Sequence, residues 1–150
     1  MRAAIGLAAA ALLVAACGGT GGAKTTTGPA AKQYVSQVNA AERSLVSSVQ
    51  RIAPGATPPV WARSVRSMQA VVARLGADLA SILPPGAVAG AHRRLVATVR
   101  QLAAKLGAAA RRASTAAGLA SARVQLLRAF SAASTAFTTT IGQINAALRR

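Results

Sequence analysis

Carboxylates are almost missing from this chain: 2 Asp plus Glu stand against 18 Lys plus Arg in 150 residues, a formal net charge of +16 with the single histidine neutral. General acid–base and hydrolytic chemistry needs carboxylates, histidine or an activated nucleophile converging in one cleft. Glu42, Asp78 and His92 are nearly all the chain offers toward that, so no enzyme and no catalytic residue is expected. One cysteine, Cys17, cannot close a disulfide within the chain, and it leaves any metal site short of soft ligands. Aromatic residues are 3% of the sequence, too few for a base-stacking platform or an aromatic cofactor box. No cofactor and no metal are therefore expected.

What the chain does have is alanine. Hydrophobic residues make up 53% of it, mostly alanine with some leucine and valine. Alanine loses no side-chain entropy in a helix and packs little against a pleated sheet, so the composition favours helix. At the N-terminus, Met1-Arg2 is a minimal positive segment before "AAIGLAAAALLVAA", residues 3–16. That apolar run has the length of a signal-peptide core and falls short of the roughly 20 residues that span a bilayer. A Gly- and Thr-rich stretch, "GGTGGAKTTTGPA" at residues 18–30, follows with no periodicity and has the composition of a flexible tether.

Between these two segments, Val14-Ala15-Ala16-Cys17 resembles the lipobox of bacterial lipoprotein precursors. The resemblance implies a diacylglycerol thioether on Cys17, cleavage just before it, and retention of the product on the membrane by its acyl chains. The expected organisation is a lipoprotein signal peptide at 1–16, the lipidated cysteine and tether at 17–30, and a helical body at 31–150. The expected location is the extracytoplasmic face of the cell membrane.

Within the body, apolar residues recur at helical spacing in four stretches separated by breakers. Tyr34, Val38, Ala41, Leu45, Val49 and Ile52 form the first stripe, which ends at Pro54, Pro58 and Pro59. Trp61, Val65, Met68, Val72, Leu75, Leu79 and Ile82 form the second, with Thr57 as its N-cap. After "LPPG" at residues 83–86, the third stripe runs through Val88, His92, Leu95, Val99, Leu102 and Leu106. The fourth is Leu127, Phe130, Ser134, Phe137, Ile141, Ile144 and Leu148, preceded by a turn around Ser114, Thr115 and Gly118. The fold class is thus all-α, an antiparallel up-down four-helix bundle with helices near 31–52, 58–82, 87–113 and 119–148. A single helix from 87 to 148 is the alternative, and it would leave a long apolar seam unpartnered.

The remaining side chains are assigned by position. Trp61, Met68 and the two phenylalanines sit at core spacing, and Thr138-Thr139-Thr140 is expected to lie on an exposed helix face. Asp78 and His92 flank the "LPPG" turn, and Asp78 is expected to form a structural ion pair with His92, or with Arg93 or Arg94 beside it. Arg63, Arg66 and Arg74 in the second helix, with Arg93, Arg94, Arg100, Lys105, Arg111 and Arg112 in the third, lie away from the apolar stripes. A basic face with so little acid to balance it attracts anionic lipid, acidic wall polymer or nucleic acid. The export signal argues against nucleic acid, and an apolar-ligand carrier is a further alternative. Arg123 falls on the fourth apolar seam and is expected to snorkel from a bundle end.

Two segments, "YVSQVNAAERSL" at 34–45 and "LPPGAVAGAHRRLV" at 83–96, resemble stretches of exported helical-bundle proteins of high-GC bacteria. Those proteins often carry one cysteine in the first helix and another near the C-terminus. Here Ala41-Glu42 and the ending "NAALRR" stand in those places, so that bridge is absent. The resemblance implies a helical topology and brings no activity with it. The expected role is a non-catalytic structural or binding one, toward anionic membrane, wall polymer or a protein partner.

Overall fold

The computed structural model describes residues 28–52, 55, 57–113 and 115–149; Cys17, the apolar run and most of the tether lie outside them. Four α-helices make up the described chain: α1 Pro29–Val49, α2 Pro58–Ser81, α3 Ala89–Arg112 and α4 Ala116–Leu148, with a short 3-10 turn, Gly86–Val88, leading into α3. No strand occurs among the described residues.

Local chemistry sets the helix ends. Prolines occupy the first positions of α1 and α2, where the missing N–H costs nothing because those amides have no intrahelical acceptor. Thr57 is extended as the residue before α2, as expected, although its side chain makes no capping bond. Thr115 does cap: its hydroxyl accepts from the backbone N–H of Gly118 at 3.0 Å, which starts α4 three residues before the expected position 119. At the other end of that turn, Arg111 and Arg112 fill the last turn of α3, where cations meet the negative end of the helix dipole.

The core is built around α3. Eleven of its residues are buried, against seven on α2, six on α4 and three on α1. Every member of its expected stripe, from Val88 to Leu106, is inside, with Val88, Val99 and Leu106 fully enclosed. One flank of α3 packs on α2 and another on α4, while α1 rests mainly on α2. Contact with α2 is close because Gly76 has no side chain: a Cβ there would lie 3.3 Å from Val99 Cγ1 and 3.5 Å from the Arg100 stem. A stripe rich in alanine and glycine brings helix axes together and buries less apolar surface per residue than leucine would.

The α2 stripe is inside as expected, with Met68 half-buried, and Tyr34, Val38 and Ala41 anchor α1. The α4 stripe differs from expectation. Leu127 and Ser134 are exposed, and the buried positions are Leu119, Ala122, Ala133, Thr140, Ile141 and Ile144, with Leu126, Phe130 and Phe137 packed against them. The expected stripe repeats every seven residues, whereas two turns of a straight α-helix take slightly more, so it drifts by ~20° per heptad. Leu127 falls on the edge away from the seam, and Leu119 and Ala122 face inward on the turns before it. Thr140, expected outside, faces inward and is 5% exposed.

Gly118 is the tightest point of the α3–α4 turn. A Cβ there would sit 2.1 Å from the carbonyl oxygen of Arg112, closer than two atoms can approach, so only glycine fits without moving the turn. Gly118→Ala is expected to cost ~2 kcal/mol or more and Thr115→Ala about 1 kcal/mol, read as shifts in the urea midpoint of a helical circular dichroism signal. Equal midpoints for Gly118→Ala and the parent chain would show that the turn is not tight.

Candidate anion-binding surface

Fifteen of the 18 basic residues fall among the described positions, and all fifteen are exposed. They include the nine expected to form a basic face: Arg63, Arg66 and Arg74 on α2, and Arg93, Arg94, Arg100, Lys105, Arg111 and Arg112 on α3. At 100° per residue those of α3 form two rows along its outer face. Arg93, Arg100 and Arg111 lie on the flank toward α2, where the Arg100 stem passes beside Gly76. Arg94, Lys105 and Arg112 lie on the flank toward α4.

Two guanidiniums on the second row are held in place. Arg94 Nη2 donates to Gln143 Oε1 at 2.7 Å, and Arg112 Nη1 donates to Gln125 Oε1, both acceptors lying on α4. Glutamine fixes the position of an arginine without cancelling its charge. Among the described residues no ion pair forms, so these cations stay uncompensated. Arg123, expected to reach outward from the α4 seam, is exposed.

Both carboxylates lie away from the α3 rows. Glu42 is on α1, and Asp78 lines a groove of about 220 Å³ between α1 and α2, together with Ser44, Ser48 and Arg74. Burial raises the Glu42 pKa, and the neighbouring Arg43 lowers it by less. Ala41, Leu45, Ala70, Val71 and Leu75 complete its lining, so the groove is an open cleft of mixed polar and apolar character.

The expected Asp78–His92 pair does not form. His92 is 4% exposed, and its ring is taken up by two other groups: Nε2 lies 2.9 Å from the Leu79 carbonyl oxygen and Nδ1 lies 3.1 Å from Tyr34 Oη. A carbonyl can only accept, so Nε2 carries the proton, and in the neutral ring Nδ1 accepts from the tyrosine hydroxyl. The rings meet edge-on, with centroids 5.6 Å apart. This contact joins α1, α2 and α3 in one buried node and gives a carbonyl in the last turn of α2 a side-chain donor. Nothing local in the sequence marks it, because Tyr34 and His92 are 58 positions apart.

No family model matches the chain, and neither a curated protein nor a solved structure is significantly similar to it.

The node makes stability depend on pH at both ends of the range. Burial lowers the His92 pKa from its ordinary 6.5, while the bond to Leu79 opposes that by less. Folding therefore favours the neutral ring: stability is full above pH 6.5 and is lost as pH falls below it. Tyr34 is pushed by burial from 10.0 up to about 12, so its contribution is full below pH 10.0 and is lost as pH rises toward about 12. Urea midpoints measured across pH should fall on both sides of a plateau; Tyr34→Phe should remove the alkaline fall and keep the acid one. An acid limb unchanged by His92→Gln would show that the fall belongs to another group.

Proposed function

We propose that this chain is a lipid-anchored cell-envelope protein whose basic helical body binds anionic surfaces, membrane lipid or acidic wall polymer, in a non-catalytic structural or binding role. The single observation that carries the binding part is the exposure of all fifteen described cations, against only two carboxylates, both of which lie off the α3 rows. Against an anionic layer each basic side chain near the surface contributes about 1 kcal/mol, so a face of nine such residues needs no pocket to bind. The anchoring part rests on Val14-Ala15-Ala16-Cys17 after a short apolar run, with the glycine-rich tether giving the body reach from the membrane.

The body is read as an up-down antiparallel bundle. Two cross-links between α3 and α4 support this reading: Arg94 bonds Gln143 while Arg112 bonds Gln125, so positions rise on one helix as they fall on the other. In such a bundle α3 presents its basic outer face along the whole length of the body.

Metabolic labelling with a palmitate analogue tests the anchor: label is expected on the parent chain and absent from Cys17→Ala, and equal labelling of both would remove the anchor. Sedimentation of the Cys17→Ala chain with phosphatidylglycerol vesicles tests the charge. Bound protein should fall steeply as salt rises from about 0.05 to 0.5 M, and binding that ignores salt would refute an electrostatic mechanism.

A further inference from the structure

The first half of α4 carries apolar side chains on two faces, and only one of them is spent on the core. Leu119, Ala122 and Leu126 turn toward the core, while Val124 and Leu127, on the same turns, are 49% and 61% exposed. At 100° per residue, Ala116, Ala120, Val124, Leu127 and Ser131 form one stripe on the outer side of the helix, and all five are exposed. Arg123 borders the stripe on one side and Arg128 on the other, both exposed. The Arg112–Gln125 bond places the last turn of α3, with Arg111 and Arg112, beside this part of α4. Neither α3 nor α4 contains an acidic residue.

Whatever covers this stripe must accept aliphatic groups and pair with cations within the same two helical turns. A second copy of the chain meeting it face to face would set Arg123 and Arg128 against their own kind, with no carboxylate to relieve the repulsion. A nucleic acid would satisfy the arginines through its phosphates and offer Val124 and Leu127 nothing in return. The boundary between headgroups and acyl chains of an anionic bilayer meets both demands: aliphatic tips enter below the phosphates while guanidiniums stay among them. No helix of the described residues is long and apolar enough to cross a membrane, so the helix would lie on the surface.

We infer that the outer face of residues 116–131 is a membrane-docking face, which seats Val124 and Leu127 in an anionic phospholipid layer with Arg123 and Arg128 on its phosphates. This deepens the anionic-surface reading above and rests on it, but it names a different face from the nine-residue surface of α2 and α3. The body would then meet the membrane on α4 and leave the α3 ridge to one side.

The test uses the full chain in a Cys17→Ala background with one new cysteine carrying an environment-sensitive fluorophore, either Leu127→Cys or Ala97→Cys, the latter on the outer face of α3. Both positions are exposed, so neither change disturbs the core. On phosphatidylcholine vesicles containing one-third phosphatidylglycerol, the Leu127→Cys label should shift to the blue while the Ala97→Cys label moves little. Adding Arg123→Gln and Arg128→Gln should weaken the vesicle dependence of that shift on the order of tenfold or more. A shift at Ala97→Cys as large as or larger than that at Leu127→Cys keeps the anionic-surface reading and overturns the α4 face. No shift at either position overturns the α4 face, while salt-sensitive sedimentation of the same vesicles would keep the anionic-surface reading and its loss would remove the lipid part of it. A Leu127→Cys shift that is equal on pure phosphatidylcholine, or untouched by the two glutamines, also overturns the inference.

Discussion

Burial of α3 between α2 and α4 is the interaction on which the other contacts depend. Its apolar face is the most continuous in the chain, and its fully enclosed members, Val99 and Leu106, are the side chains that hydrophobic transfer rewards most. On α2, Gly76 leaves room for Val99 and the Arg100 stem, and small residues, Ala122 and Ala133, are among those buried on α4. Small residues also make the arrangement sensitive to local geometry, since a core with few large side chains has little freedom to repack around an error. Gly118, at the turn that returns the chain onto α3, is where that sensitivity is concentrated.

The part of the fold that was legible in the sequence is the part fixed by strong, local signals. Prolines bracket α2 and its stripe repeats without a fault, so its bounds and its inward residues could be read directly. The stripe of α3 was equally plain. On α4 the large apolar residues themselves misled: Leu127 and Phe130 are three positions apart, yet one faces out and the other packs inward, because the first half of the helix carries large apolar residues on two faces. The Tyr34–His92 contact was illegible for a different reason. Sequence proximity suggested Asp78 for His92, but a buried histidine is matched most cheaply by neutral partners, and those came from the far end of the chain and from a backbone carbonyl. The basic surface was legible residue by residue, because charge on an exposed position needs no tertiary information. What the sequence did not carry was the placement of Glu42 and Asp78 away from the two basic rows of α3, and the glutamines that hold Arg94 and Arg112 in position.

These two findings give the surface its character. A typical soluble helix intersperses acids and bases on its outer side, which fixes side chains through pairing and quenches the far field. Here Gln125 and Gln143 supply the fixing without the quenching, so the field of the surface projects outward at full strength. That arrangement costs the folded state some self-repulsion.

Helix contacts made without ion pairs, on a body whose exposed charges share one sign, have a consequence for how the protein answers to dissolved electrolyte. Counter-ions that screen the surface would weaken the proposed hold on an anionic layer and at the same time relieve the internal repulsion opposing compaction. On that proposal detachment and hardening go together: brine that released the domain from an anionic layer would leave it more resistant to unfolding.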